Sequence, residues 1–207
     1  MCVIAVCKDR KMTKGEIKAS DSRNSDGIGV AWGDGQFCHF KKGMEVEEFK
    51  EWYSTFEFRP HVVHFRLSSV GEVCTELTHP FIVSVESTIK LEGKVKSPVL
   101  FHNGTFSDWS TWLISLYLKS RRKIPKGPWS DSRVIAVMVH FLGVHVLEVL
   151  GGRYAVVHPS GTILTVGSYA SVKDDIEFSS SIGQGETANW HRSFLIKDGV
   201  SIGKEVY

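Results

Sequence analysis

The apolar positions of this chain fall into short blocks. Cys2-Val-Ile-Ala-Val-Cys7 is an unbroken apolar run of strand length, which predicts a short buried β-strand over residues 2–7. Lys8 to Ser25 is rich in charge, Ser and Asn and reads as a loop. Gly27-Ile-Gly-Val-Ala-Trp32 predicts a second strand, Gly33-Asp-Gly35 a turn, and Gln36 to Lys41 a third strand. The period then changes: Val46, Phe49, Trp52/Tyr53 and Phe56 recur at helical spacing, so Met44 to Phe56 is expected as an amphipathic helix. His61 to Arg66 and Pro98 to His102 are again strand-like. Ser107 is placed to cap a helix running to about Lys119, and Ser130 or Asp131 to cap one through Phe141, with a shorter helix near Val144 to Leu150. Strands return at Arg153–Val157, Thr162–Val166, Ile176–Ser179 and Ser193–Lys197. Strand groups on either side of a helical middle predict an α+β layered domain. A doubly wound sheet would need strands and helices to alternate.

Length and charge narrow the function classes. The 207 residues suit one domain over 1–207, since nothing in the middle reads as a linker. A net charge of +2, from 25 basic and 23 acidic residues, is too balanced to suggest a nucleic-acid or membrane surface. The basic run Lys119 to Lys123 reads as a solvated helix end that suits the helix dipole. No apolar run is long enough to span a bilayer, and Lys8, Asp9, Arg10 and Lys11 interrupt the first one, so neither an anchor nor a signal peptide is expected and the location expected is cytoplasmic. Cys2, Cys7, Cys38 and Cys74 show no paired spacing, which points to free thiols in a reducing compartment. Gly27, Gly29 and Gly33 do not open a helix in dinucleotide-binding spacing. His61 and His64, three apart on a strand, should face opposite sides, and with no clustered ligands no metal site is expected. His140 and His145 are expected at packing or surface positions, and Trp109, Trp112 and Tyr117 mainly in packing.

The candidate chemistry begins at Cys2. Removal of Met1 would leave one residue with a thiol and a free α-amine, whose ordinary pKa values are about 8.5 and about 7.7–8.0. An N-terminal amine can activate its own side chain as a nucleophile. Further along stand His64-Phe-Arg-Leu-Ser-Ser-Val-Gly71, Thr78-His-Pro-Phe81, Leu100-Phe-His-Asn-Gly-Thr105 and Ser130-Asp-Ser-Arg-Val-Ile135. With Met1-Cys2 in front, their order and spacing resemble the class II glutamine amidotransferase family. Asn24-Ser-Asp-Gly-Ile-Gly-Val-Ala-Trp32 and Gly152-Arg-Tyr-Ala-Val-Val-His-Pro-Ser-Gly161 add to the resemblance, which runs from residue 2 to about 180.

The resemblance implies a four-layer αββα N-terminal nucleophile hydrolase fold with two stacked antiparallel sheets. It implies Cys2 as nucleophile, with the Asn103 side chain and the Gly104 backbone N–H as oxyanion donors. Loss of one such donor typically costs about a hundred- to a thousand-fold in rate. Arg66 offers a planar fork for the α-carboxylate of glutamine, and Asp131 an acceptor for its α-ammonium. Ser69 and His79 would support the carboxylate end. The implied reaction needs no metal and no cofactor. A γ-glutamyl thioester forms, ammonia leaves, and water releases glutamate. The resemblance also departs at one place, because Leu67 stands where many members carry an aromatic residue, which would suit a γ-glutamyl amide larger than glutamine. Within the 207 residues no second, ammonia-using domain is expected. Three functions are therefore expected to compete: a glutaminase delivering ammonia to a separate synthetase, a stand-alone γ-glutamyl amidohydrolase, and a catalytically silent binding module.

Overall fold

The computed structural model describes residues 2–68, 73–169, 171–173, 176–180, 196–197 and 200–201. In chain order the elements are β1 (Val3–Cys7), α1 (Lys14–Asp21), β2 (Ile28–Gly33), β3 (Cys38–Met44), α2 (Val46–Thr55), β4 (His61–Phe65), a single 3-10 turn (Thr75–Leu77), β5 (Phe81–Ile82), β6 (Glu92–Val95), β7 (Val99–Asn103), α3 (Trp109–Lys119), α4 (Asp131–Leu142), α5 (Val146–Leu150), β8 (Arg153–Val157), β9 (Ile163–Val166), β10 (Ser171–Lys173), β11 (Ile176–Phe178), β12 (Ile196–Lys197) and β13 (Val200–Ser201). One sheet has the order β10-β11-β1-β4-β2-β3-β6, the other β5-β7-β8-β9, and β12 pairs with β13 alone. Every pairing is antiparallel.

Side-chain alternation builds the layers. In β1, Val3, Ala5 and Cys7 point to one face, where Ile17 of α1 and Phe49 and Tyr53 of α2 cover them. Ile4 and Val6 point to the other and meet Val99, Phe101, Ala155 and Val157 of the smaller sheet. A strand buried on both faces has no polar alternation, hence the unbroken apolar run of residues 2–7. On the far side of the smaller sheet, Leu100, Tyr154 and Val156 pack against Ile135, Ala136 and Val139 of α4 and Leu147 of α5. α4 carries α3 on its outer face through Val134, Val137 and Met138. Helices, two stacked antiparallel sheets and helices follow in that order, the four-layer α+β arrangement expected.

Some local expectations change. Lys8 to Ser25 is not all loop, because Lys14–Asp21 is helical. Its start is a capping box: Glu16 N donates to Thr13 Oγ1 at 3.2 Å and Thr13 N to Glu16 Oε2 at 2.8 Å. Only Ile17 and Ser20 of this helix are buried, so it lacks the apolar period that marks a helix. α3 starts at Trp109 after a cap residue, Asp108, whose side chain makes no capping bond, rather than after Ser107. Ser130, not Asp131, caps α4, accepting from Arg133 N. β5 is two residues long, and β6 is an exposed, charged edge strand, so neither carries an apolar signal. β10 was not expected either. His61 and His64 do face opposite sides of β4: His61 meets Tyr53 of α2, and His64 meets Phe101 of the smaller sheet. Lys119, Arg121, Arg122, Lys123, His140 and His145 are exposed. Ser69 and most of the Ser193–Lys197 segment lie outside the described residues.

Candidate active site

β1 and β4 run side by side, with Val3 opposite Phe65, so the residue before β1 meets the residues after β4. Cys2 Sγ lies 3.3 Å from both the N and the O of Leu67. Arg66, 4 % exposed, sends Nη1 to the Cys74 carbonyl at 2.8 Å and Nη2 to Ser68 Oγ at 3.3 Å. Asp26 fixes the turn that follows, its Oδ2 accepting from Ser68 N at 2.7 Å. Cys2, Arg66, Leu67, Ser68, Leu77, His79, His102, Gly104, Ser130, Asp131 and Ser132 line one small, half-open cleft of roughly 330 Å³, counting the part open to solvent. Cys2, Arg66, His79, Gly104 and Asp131, named from a sequence span of some 130 residues, thus share one space.

Asp131 opens α4 and is 5 % exposed. Its Oδ2 accepts from Phe106 N at 3.0 Å and its Oδ1 from Ser132 N at 2.7 Å. His102, at the end of β7, places Nδ1 2.9 Å from Ser132 Oγ and 3.9 Å from Asp131 Oδ2. Gly104 has an ordinary φ. Its need for glycine is one of space, since a Cβ there would lie 2.7 Å from His102 Nε2 and 3.4 Å from Gly152 Cα. His79 is buried beside His64, with ring centroids 4.1 Å apart, and its ring nitrogens have no hydrogen-bond partner. Gly29 lets the His79 carbonyl approach β2, because a Cβ at that position would sit 1.7 Å from the carbonyl oxygen.

Among the described candidates, Asn103 is the one that does not line the cleft. Its Nδ2 donates to Ser179 Oγ at 2.8 Å and to Ser180 Oγ at 3.1 Å. Ser180 Oγ in turn donates to the Cys2 carbonyl at 2.9 Å. The amide therefore fastens the end of β11 beside the nucleophile candidate, and its Oδ1 is buried without a partner.

The electrostatics suit a thiol that needs a base. Burial pushes the Cys2 thiol pKa up, against the Leu67 N–H bond, the positive chain terminus and Arg66, which pull it down, while Asp131 raises it further. Burial lowers His102 to about 4 in spite of the opposing pull of Asp131, and lowers His64 to about 3. His79 is held well below the usual imidazole range by burial and by its charged and imidazole neighbours. These rings are neutral near pH 7. One cation, Arg66, and one anion, Asp131, thus share the cleft with the thiol, a charge pattern complementary to an α-amino acid. Among the described residues no three His, Cys, Asp or Glu side chains gather as a metal site would require, and no helix is long and apolar enough to cross a membrane. Ser68, His102, Ser130 and Ser132 were not named from sequence as site residues, although each lies inside or beside a motif that was.

Solved structures share this architecture. The glutamine phosphoribosylpyrophosphate amidotransferase from B. subtilis, complexed with ADP and GMP, superposes with a TM-score of 0.59 over 86% of this chain at 16% identity. A structure of the allosteric regulatory enzyme of purine biosynthesis superposes with a TM-score of 0.56 over 86% at 15% identity. The fold is that of the N-terminal nucleophile hydrolases. This chain spans 41% of either of those structures, so the shared N-terminal nucleophile hydrolase fold accounts for less than half of each. No family model and no curated protein matches the sequence.

Proposed function

We propose that this chain hydrolyses the side-chain amide of glutamine or of a closely related γ-glutamyl amide, with Cys2 as an N-terminal nucleophile after removal of Met1. The observation that carries this is the single cleft in which Cys2, Arg66, Gly104 and Asp131 meet. The Arg66 guanidinium takes the substrate α-carboxylate and Asp131 the α-ammonium, which aims the carboxamide at Cys2. His79 lines the same cleft. The α-amine of Cys2 removes the thiol proton, and sulfur attacks the carboxamide carbon. The Gly104 N–H meets the oxyanion, and Asn103 joins it by exchanging Ser179 and Ser180 for the new acceptor. The protonated amine then gives its proton to the departing nitrogen. Ammonia leaves, water attacks the γ-glutamyl thioester, and glutamate and the free thiol return. The chemistry uses no metal and no cofactor.

The released ammonia would serve a separate synthetase. Leu67, 39 % exposed beside Cys2 and lining the cleft, favours a second reading, in which a substituted γ-glutamyl amide is the substrate, because a small, exposed aliphatic wall would suit a bulky nitrogen substituent. Intact mass before and after a glutamine-mimicking diazo-ketone tests the proposal. Loss of Met1 and one adduct, absent in Cys2→Ala, is the expected result. Cys2 exposed by cleavage yet giving no adduct would leave only a catalytically silent module. Competition by glutamine or by an N-substituted analogue separates the two substrate readings.

A further inference from the structure

We infer that His102 is a positioning residue, which through Ser132 holds the Asp131 carboxylate in the orientation that receives the substrate α-ammonium. The inference rests on the proposed function. His102 Nδ1 is 2.9 Å from Ser132 Oγ, and Ser132 Oγ is 3.3 Å from Asp131 Oδ1. An ionised carboxylate only accepts, and Ser132 has one hydroxyl proton. If that proton went to His102, two oxygen lone pairs would face each other across the Ser132–Asp131 contact. The arrangement without that conflict has Ser132 donating to Asp131 and His102 Nδ1–H donating to Ser132. The tautomer is assigned from this hydrogen-bond network. Burial keeps the ring neutral, so Nε2, on the Gly104 side, carries no proton. Stacking on Tyr154, at 4.8 Å between centroids and 10° between planes, fixes the ring.

The contact has a second consequence. His102 and Asn103 end β7, with Gly104 just beyond, whereas Asp131 and Ser132 open α4. The His102–Ser132 bond therefore joins the end of β7 to the start of α4. Phe106 N, donating to Asp131 Oδ2, closes the same loop from the other side.

The test compares L-glutamine with 4-carbamoylbutanoate, which is glutamine without its α-amino group, on full-length protein whose Met1 loss is verified by mass. His102→Phe keeps the ring stack and removes both nitrogens, and Ser132→Ala cuts the tie from the other side. Each should lower kcat/KM for glutamine about tenfold, chiefly through KM, and leave the deamino substrate within about twofold. The double variant should be no worse than either single one, because both remove the same connection. His102→Asn, which can offer an N–H near the Nδ1 position, should recover most of the loss. Equal losses on both substrates, or additive losses in the double variant, would overturn the positioning role. Wild type hydrolysing neither amide, nor an N-substituted γ-glutamyl amide, would overturn the proposed function and this inference with it. Wild-type preference for glutamine that the variants preserve would overturn this inference alone.

Discussion

Lowering the pH should unfold this protein through its histidines. His61, His64, His79 and His102 are all buried. Burial lowers His61 to about 4, His64 to about 3 and His102 to about 4, and it holds His79 well below the usual imidazole range. In the unfolded chain a histidine titrates near about 6.5. Between the two values the unfolded state binds more protons, so stability is complete above about pH 6.5 and falls as the pH drops toward the folded-state values. At about pH 5 each depressed histidine has cost the native state about 2 kcal/mol. His61, His64 and His102 together approach about 6 kcal/mol, comparable with the roughly 5–15 kcal/mol that holds an ordinary domain folded, and His79 acts in the same direction. Urea unfolding from about pH 7.5 down to about pH 5 measures this directly. His64→Leu is the informative variant, because it replaces a fully buried ring packed against His79 and Phe101 with an apolar side chain. It should reduce the slope of stability against pH by an amount that approaches about 1.4 kcal/mol per pH unit at about pH 5. Stability that stays flat down to about pH 5.5, or a slope that His64→Leu leaves unchanged, would refute the reasoning.

Other outcomes follow from single contacts. Gly29→Ala drives a Cβ to 1.7 Å from the His79 carbonyl oxygen and 3.0 Å from Lys42 Cβ. It should cost about 3 kcal/mol or more and lower Tm by about 6–12 °C, read by thermal unfolding. Gly35→Ala, with nothing within 4 Å but a φ of +100°, should cost only about 1–2 kcal/mol. Lys42 is buried, donates to the carbonyls of Glu76 and Pro80, and is lowered by burial to about 7. The unfolded chain therefore holds the extra proton from about 7 up to about 10.4, so stability should rise with pH across that range and Lys42→Met should abolish the rise in alkaline urea titrations. An N-terminal extension that survives processing should abolish diazo-ketone labelling while leaving the unfolding curve unchanged.

The layered core was legible because β1, β2 and β4 are buried, apolar and bounded by polar loops, and because α2 and α4 keep a helical period. α1 escaped because its formation rests on the Thr13–Glu16 capping box and the Arg10–Glu16 pair rather than on an apolar face. The edge strand β6 escaped because Glu92, Gly93 and Lys94 are exposed and read as loop. At the candidate site, residue types and order pointed to Cys2, Arg66, Gly104 and Asp131, since each adjoins a strand end or helix start that brings it to the cleft. Lys42 could not be recognised as buried, because what shelters it is a pair of carbonyls more than thirty residues away. The present partners of Asn103 were equally hidden: Ser179 and Ser180 are more than seventy residues distant, and only the pairing of β11 with β1 places them there.

That pairing also sets a schedule. β1 needs a neighbour on each side: β4, complete at residue 65, and β11, which ends at residue 178. On a ribosome most of the chain is made before the second neighbour exists, and contacts so distant in sequence close late. Throughout that interval the amino end belongs to a half-paired strand. The nucleophile proposed for this chain would be uncovered in that interval, before the fold closes around it.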